Sequence, residues 1–383
     1  MTRAVLVVGG TGAFGSRLVD GLVATTDLGV VIAGRNLARA EARAASIGAH
    51  RVRALRLDGA AVTADELRAT GAFAVIDAAG PFQGAGYRLA QAVIAAGMHY
   101  VDLADGRAFV AGFPALDGAA RAAGVVALTG ASSTPALSHA VLDRLTQGWR
   151  RIDAVEIAIS PGNRNSPRGL SVIQAILSYA GKPVSVYAAG GWTTQTGWGR
   201  PIRRDLPGLG KRWLSLCETP DLDLVPARFS PRRAAVFRAG LELSVMHLGL
   251  CLAGCLVQAG LLPSLMPFAR PFGWLAERLK SFGSDRGGML VEASGVDAAG
   301  KPARAAWSLV AEAGDGPVIP TLPALAALRA LADGSPLQPG ARPCVGVLDL
   351  DQITREFAPY RISTHLATSV ADEPISVPAI ARV

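Results

Sequence analysis

The sequence predicts an α/β protein in two parts: an amino-terminal doubly wound parallel sheet, then a second, α+β domain containing antiparallel strands. Three observations carry this. Over residues 1–131, short apolar runs alternate with helix-patterned segments; runs of this kind pair in parallel and are covered by helices on both faces. After about residue 150 the pattern changes to alternating strands bounded by glycine turns. The chain also has 383 residues, more than one hydrophobic core usually serves.

The first-part strands are "AVLVV" (4–8), "GVVIAG" (29–34), "RVRALRL" (51–57), "FAVIDAA" (73–79), "HYVDLA" (99–104) and "VVALTG" (125–130). Between them lie segments such as "GYRLAQAVIAAGM" (86–98), with apolar residues at helical spacings of three and four. Six such strands fit a doubly wound sheet. In the second part, "IDAVEIAIS" (152–160) alternates like a half-buried strand and "LSVIQAILSYAG" (170–181) reads as a helix. "VSVYAAGGWTTQT" (184–196) reads as a hairpin around Gly190 and Gly191, and residues 287–313 as a second hairpin turning near Asp297 to Gly300. "IPTLPALAALRALADG" (319–334) returns to amphipathic helix and ends at Gly334. The expected domains are 1–131, completed by carboxy-terminal helices around 319–357, and 132–318. The tail "VADEPISVPAIARV" is expected to be loosely held.

Half of the chain is apolar and 18% is charged, a globular composition. The net charge of +8 is almost all arginine, lysine occurring only at Lys182, Lys211, Lys280 and Lys301. The arginines are scattered rather than clustered with aromatics, so no nucleic-acid partner is expected. The cysteines are Cys217, Cys251, Cys255 and Cys344. No CxxC occurs, and Cys251 and Cys255, one helical turn apart in an apolar run, read as buried thiols. With five scattered histidines, no metal site is expected. "MTRAVLVVGG" has no signal-peptide layout, so a reduced, cytoplasmic protein is the expectation.

One stretch is unusual: no charge occurs between Leu243 and Arg270. Its length permits a membrane span, but His247, Gln258, Pro263 and the internal glycines argue for a buried helix or a hydrophobic partner face over 243–267. Arg238 before it, and Arg270, Arg278 and Lys280 after it, leave open a helix lying on a membrane surface.

The first strand runs into Gly10-x-Gly12-x-x-Gly15 and then a helix. That context is the dinucleotide-binding fingerprint of the Rossmann sheet. Gly10 permits the tight turn, Gly12 lets a pyrophosphate approach, and Gly15 lets helix and strand pack closely. Amides around Ala13 and Phe14 then face the phosphates, and Thr11 can add a hydroxyl. An NAD site wants an acid at the end of the second strand to hold the ribose 2′-hydroxyl. Here the strand ends Gly34-Arg35-Asn36. Arg35 matches a 2′-phosphate in fork geometry and Asn36 can donate as well, so NADP is favoured over NAD. Asp58, after the third strand, can accept from an adenine amino group or cap a helix. Ala78, Ala79, Gly80, Pro81 and Phe82 follow the fourth strand, where small residues let a ribose and nicotinamide lie against backbone.

"GGTGAFG", "AGRN", "DAAGPFQGAG", "HYVDLADG" and "GASSTPALS", in this order and spacing, resemble the saccharopine dehydrogenase-like NADP-binding family over roughly residues 1–140. The later "GPVIPTLPALAALRALADG" and "CVGVLDLDQ" resemble the carboxy-terminal part of the same group. The resemblance implies a Rossmann domain, an α+β domain, and NAD(P)H-linked reduction of a polarised double bond. That bond is an imine in saccharopine-type enzymes and C=C in the related trans-acting enoyl reductases. Hydride addition also needs a proton, and Tyr100, Asp102 and Asp105 on or just past the fifth strand are the candidate sources. Each has a plain alternative: a core tyrosine, a buried hydrogen-bonded carboxylate, a helix cap.

Ser132, Ser133 and Thr134 end the sixth strand, with Thr134 a candidate N-cap and Pro135 a first helical residue. His139 reads as structural. Arg164 and Arg168 either bind a carboxylate or are solvated, and "GWTTQTGWGRPIRR" (191–204) is either a wall of the substrate site or surface cation–π packing. No tyrosine has lysine four residues on, which excludes short-chain-reductase chemistry. The sequence therefore predicts an NADPH-dependent oxidoreductase acting on an imine or enoyl group of a small molecule. The alternative is a non-catalytic NADP-binding protein held at a membrane or lipid surface through 243–267. A homodimer is compatible with either.

Overall fold

The computed structural model describes residues 3–164 and 169–370. The chain divides into two compact units, one of Met1–Leu137 with Val318–Glu356, the other of Ser138–Pro317 with the segment from Phe357 onward.

The first unit begins β1 (Ala4–Val8), α1 (Gly15–Thr25), β2 (Gly29–Gly34), α2 (Leu37–Ile47), β3 (Val52–Arg56) and α3 (Ala64–Ala69). It continues with β4 (Ala72–Asp77), α4 (Arg88–Ala95), β5 (His99–Asp102), α5 (Arg107–Gly112), α6 (Asp117–Ala122) and β6 (Val126–Thr129). All six strands pair in parallel, in the order β3-β2-β1-β4-β5-β6. Val5, Leu6, Val7, Val30, Ile32, Val75 and Ile76 are fully buried, because helices cover both faces. Later in the chain, α12 (Leu322–Ala332), β15 (Gly340–Pro343) and α13 (Leu350–Thr354) return to this unit. β15 adds a seventh parallel strand beside β6, which the residue pattern did not reveal. α12 packs against α1 and β5. Arg329 on α12 locks the return with a two-pronged pair to Glu356 (2.7 and 3.1 Å) and a bond to the Thr25 carbonyl (3.1 Å). β1 lies between β2 and β4, so strand order reverses there; ligands of such sheets bind beyond the carboxyl ends of the strands at that point.

The second unit holds α7 (Ser138–Leu145), β7 (Arg151–Ser160), α8 (Leu170–Tyr179), β8 (Pro183–Ala188), β9 (Gly191–Thr196), β10 (Ile202–Leu206) and β11 (Gly210–Leu216). It continues with α9 (Asp221–Phe229), β12 (Ala234–Ala239), α10 (Ser244–Gln258), α11 (Ala269–Arg278), β13 (Gly287–Val296), β14 (Pro302–Ala311) and β16 (Ile362–Val370). Its mixed nine-stranded sheet runs β10-β11-β12-β7-β13-β14-β16, with β8 and β9 attached through β12. The 287–313 segment is the long hairpin β13–β14. The β8–β9 turn is centred on Ala189 and Gly190, both at positive φ (54° and 79°), one residue earlier than the glycine pair suggests.

Four sequence expectations are corrected. β7 is a central strand buried on both faces rather than half-buried, because the polar member of its alternation, Glu156, is taken inside by ion pairs. α10 is not buried all round: His247, Leu250, Cys251 and Gly254 face inward, while Val245 and Leu252 are 69% and 68% exposed. Cys255 is exposed with them, not buried like Cys251. Thr134 is extended (φ −131°, ψ 129°) and α7 starts only at Ser138, so Thr134 and Pro135 are not its cap and first residue. They form a buried irregular turn folded onto Gly130, whose missing Cβ leaves room for the Pro135 ring. Arg168 and residues 371–383 lie outside the described residues. Among the described residues no helix is long and apolar enough to cross a membrane.

Candidate active site

The glycine turn sits at the carboxyl end of β1. Gly9, at φ 77°, makes the left-handed step, and a Cβ on it would lie 2.9 Å from the Ala78 backbone. The fingerprint assigned that turn to Gly10; Gly10 is needed instead because a Cβ there would meet Ile32 at 3.0 Å. At Gly15 a Cβ would stand 2.2 Å from the Gly9 carbonyl oxygen, so only glycine lets α1 start against the turn. Gly12 differs. Its one close neighbour would be the Gly9 oxygen at 3.1 Å, and beyond that it faces open space. The Gly12 amide donates to that same oxygen (2.8 Å), and Ser16 donates to the Gly12 carbonyl (3.0 Å). α1 begins at Gly15 with no side-chain cap and no acid in its first turn. An uncapped helix start next to an open glycine is the donor set a pyrophosphate requires, so these residues fit NADP. Thr11, Ala13 and Phe14 line the turn between them. Arg17, one turn into α1, is held on the Ala13 carbonyl.

At the end of β2, Arg35 is exposed and α2 has no acid in its first turn. The Asn36 side-chain oxygen accepts from the Arg39 amide (3.1 Å) and so caps α2. Asp58 accepts from the Ala60 amide (3.1 Å), while its carbonyl takes the amides of Ala61 and Val62. It closes its own turn rather than capping α3, whose cap is Thr63.

The loop after β4 is tied under the glycine turn. The Ala78 amide donates to the Val8 carbonyl (2.9 Å) and the Ala79 amide to Asp77 Oδ1 (2.9 Å). Ala79 and Pro81 are exposed, whereas Phe82 is buried against Phe109, ring centres 5.2 Å apart. On β5, Tyr100 is buried and stacked on Phe113 (5.7 Å), and its hydroxyl donates to Asp77 Oδ2 (3.4 Å). Asp102 Oδ1 accepts three bonds: the amides of Gly130 (2.7 Å) and Ala104 (2.9 Å), and Thr129 Oγ1 (2.9 Å). Burial pushes the Asp77 carboxyl up to about 6 and that of Asp102 up to about 7. The Tyr100 hydroxyl is raised well above its usual range by burial and the two neighbouring carboxylates. Asp105, past the strand end, is exposed and accepts from Gln83 Nε2 (3.1 Å).

The carboxyl ends of β1, β4, β5 and β6 thus carry the glycine turn, the Asp77–Phe82 loop, Asp102, Asp105 and the Thr129–Gly130 corner. Of the three proton-source candidates, Asp105 is exposed as a residue but its carboxyl is raised above the ordinary range by burial, and Tyr100 and Asp102 are interior. Gly9, Asp77, Gln83 and Thr129 are participants the motif reading did not assign. The Asp77 signal was present: it ends β4 directly opposite Asp102. In the second unit, His139 is fully buried with Asp221, Nε2 to Oδ1 3.4 Å. Trp198 is buried beside His247 (5.5 Å), Trp192 packs edge-on to Tyr187 (5.7 Å), and Arg204 bridges Glu156 and Glu292. The tryptophan–arginine segment is therefore largely structural. Arg164 is exposed.

A doubly wound sheet, an open glycine turn at its switch point and an arginine in place of the ribose-binding acid define an NADP-linked dehydrogenase-type protein. Residues 5–128 match the family model of the saccharopine dehydrogenase NADP binding domain. Residues 5–128 are therefore similar to the NADP-binding domain of saccharopine dehydrogenases, which supports an NADP-dependent oxidoreductase by class. Comparison with curated proteins finds no match. Among solved structures, apo saccharopine dehydrogenase (L-Glu forming) from Saccharomyces cerevisiae is similar over 96% of this chain and 100% of its own, with 15% identity and a TM-score of 0.65. This shows that the fold of both units is shared. GenD2 from gentamicin A biosynthesis in complex with NAD (18% identity, 76% of this chain, 70% of its own, TM-score 0.34) is a more distant likeness. So is 3-hydroxyacyl-CoA dehydrogenase type-2 from Mycobacterium avium (19% identity, 33% and 71%, TM-score 0.28).

Proposed function

We propose that this protein uses NADPH to reduce a polarised double bond, an imine or an enoyl group, of a small-molecule substrate. The observation that carries the reading is the glycine turn with its open Gly12 position and uncapped α1, together with the NADP-binding family match of the same residues. NADPH, when bound, supplies the hydride. The chain's own residues position and complete the reaction. Gly10, Thr11, Gly12, Ala13, Phe14 and Gly15 hold the diphosphate, Arg35 and Asn36 the 2′-phosphate end, and Asp58 the adenine side. Ala78, Ala79, Gly80 and Pro81 supply the flat, small-residue surface beside them, with Phe82 packed beneath it.

Asp105 is the group assigned to bring the proton to the atom opposite the hydride acceptor, since it lies just past the end of β5, Gln83 orients its carboxyl, and burial of that carboxyl raises its pKa, which favours a held proton. Asp102 and Tyr100 are positioning residues. Asp102 fixes the β5 and β6 ends through three bonds, and the Tyr100 hydroxyl donates to Asp77. Substrate recognition is assigned to the second unit.

The test is NADPH consumption by the purified protein against two panels, amino acids mixed with aldehydes and conjugated enoyl thioesters. Turnover with one panel, lowered at least about tenfold in kcat by Asp105→Asn, supports the reading. Tight NADPH binding with no turnover on either panel overturns the reductase assignment and leaves a binding protein.

A further inference from the structure

The second unit carries an apolar surface that its own fold leaves bare. Among the described residues, ten of the fourteen large apolar side chains that are exposed fall between Val245 and Phe282. On α10 they recur as Val245, Leu248, Leu252 and Leu256, one stripe at spacings of three and four, opposite the stripe that packs inward. Leu261 (71%), Trp274 (62%) and Phe282 (74%) continue the exposure through the next turns of chain. Scattered surface leucines need no explanation, but a concentration of this kind marks an interaction site.

We propose that this face docks onto an anionic lipid surface. Two features choose lipid over a second protein. The first is the poverty of hydrogen-bonding groups. A standard protein interface carries on the order of ten direct hydrogen bonds around its apolar centre. From Leu243 to Ala269 the chain has no charged residue, and its polar side chains are Ser244, His247, Gln258 and Ser264, of which His247 is turned inward. Such a surface suits a fluid apolar phase, which asks for no partners. The second is the charge of its border. Arg270 and Arg278 are exposed, and Arg278 lies over the Trp274 ring (5.1 Å). Lys280 is paired with the local acid Glu277, so the border is net positive. An exposed tryptophan backed by arginine is the pairing found at the headgroup level of membranes, and basic side chains there are drawn to acidic lipids. α10 has 15 residues, too short to span, so it lies along the surface with its inner stripe still seated on the protein. This proposal rests on the second unit alone and is independent of the reductase reading.

Cys255 provides the probe, since it is exposed on this face while Cys217, Cys251 and Cys344 are buried. An environment-sensitive dye is attached to Cys255 of the full chain. The protein is then mixed with vesicles of phosphatidylcholine alone or with added phosphatidylserine, and flotation is measured in parallel. The expected result is a blue-shifted, brighter dye and flotation with the serine-lipid vesicles. Partition should weaken about fivefold or more in Arg278→Glu and about tenfold or more in Leu252→Asp, with melting temperature and NADPH affinity unchanged. Absence of any dye shift or flotation with either vesicle overturns the proposal. A dye already shielded without vesicles also overturns it, if sedimentation shows a dimer that Leu252→Asp dissociates; the occupant is then a second copy.

Discussion

Asp77 and Asp102 stand directly opposite each other on the adjacent parallel strands β4 and β5, with the Tyr100 hydroxyl on Asp77. Both carboxyls lie above their ordinary range, at about 6 and about 7, chiefly because burial disfavours the charged form. A group whose folded pKa is raised binds protons more tightly in the native state. Stability then falls as pH climbs from the unfolded value, roughly 4, through the folded value, and levels off above it.

The wild-type protein should therefore lose stability between about pH 4 and 7, by up to about 1.4 kcal/mol per pH unit for each group while it titrates. Asp102→Asn keeps an oxygen for the Gly130, Ala104 and Thr129 donors and cannot ionise. Its melting temperature should depend less on pH over that window than the wild type's. Thermal melts at half-unit steps check this, and a wild-type-minus-variant difference that is flat, or that rises with pH, contradicts the assignment.

The glycine turn separates packing from binding. Gly15→Ala puts a methyl 2.2 Å from the Gly9 carbonyl oxygen, an overpacking that should cost about 1–3 kcal/mol of stability. Gly12→Ala meets that oxygen at 3.1 Å and otherwise points into open space. It should melt within a few degrees of wild type yet lose most NADPH affinity, because the methyl occupies the phosphate's place. Paired melting and calorimetric titrations distinguish the two; equal NADPH affinity for wild type and Gly12→Ala would place the diphosphate elsewhere.

Arg35→Ala removes the guanidinium at the end of β2 and leaves no acid in its place. A charge-assisted contact to phosphate is worth about 1.5–3 kcal/mol, so NADPH should bind about 10- to 100-fold more weakly and NADH about as before. Fluorescence titration with both cofactors measures the ratio. An unchanged ratio would move 2′-phosphate recognition to another side chain.

Much of the dinucleotide half was legible because its signals are local. Strand, glycine turn and helix follow one another in sequence, and every apolar run except the edge strand β3 is largely buried. β15 was not legible, since "GARP" gains its strand character only by lying beside β6. Gly9 was overlooked because its need arises from Ala78, which is distant in sequence. The same holds for Asp102. Only the fold brings Thr129 and Gly130 to its carboxylate. In the second unit, the outward stripe of α10 (Val245, Leu248, Leu252, Leu256) is more apolar than the buried one (His247, Leu250, Cys251, Gly254), so hydrophobicity alone points the helix the wrong way.

The buried charges of the second sheet provide a last test. Glu156 on β7 and Glu292 on β13 are cross-strand neighbours, 4% and 5% exposed. Two carboxylates so placed repel and are poorly hydrated. Arg204 answers both, reaching Glu156 at 3.0 Å and Glu292 at 2.5 Å, while Arg304 adds a contact to Glu292 at 2.9 Å and Arg238 lies 3.4 Å from Glu156. Removing the bridging guanidinium leaves like charges facing each other inside a sheet. Arg204→Met, similar in length and apolar, should therefore destabilise the protein by about 1.5–3 kcal/mol, Arg238 and Arg304 still answering one carboxylate each. The triple variant Arg204→Met, Glu156→Gln, Glu292→Gln should recover much of that loss. Denaturant unfolding of the three proteins decides the matter: if Arg204→Met alone proves neutral, the sheet does not depend on this charge bridge.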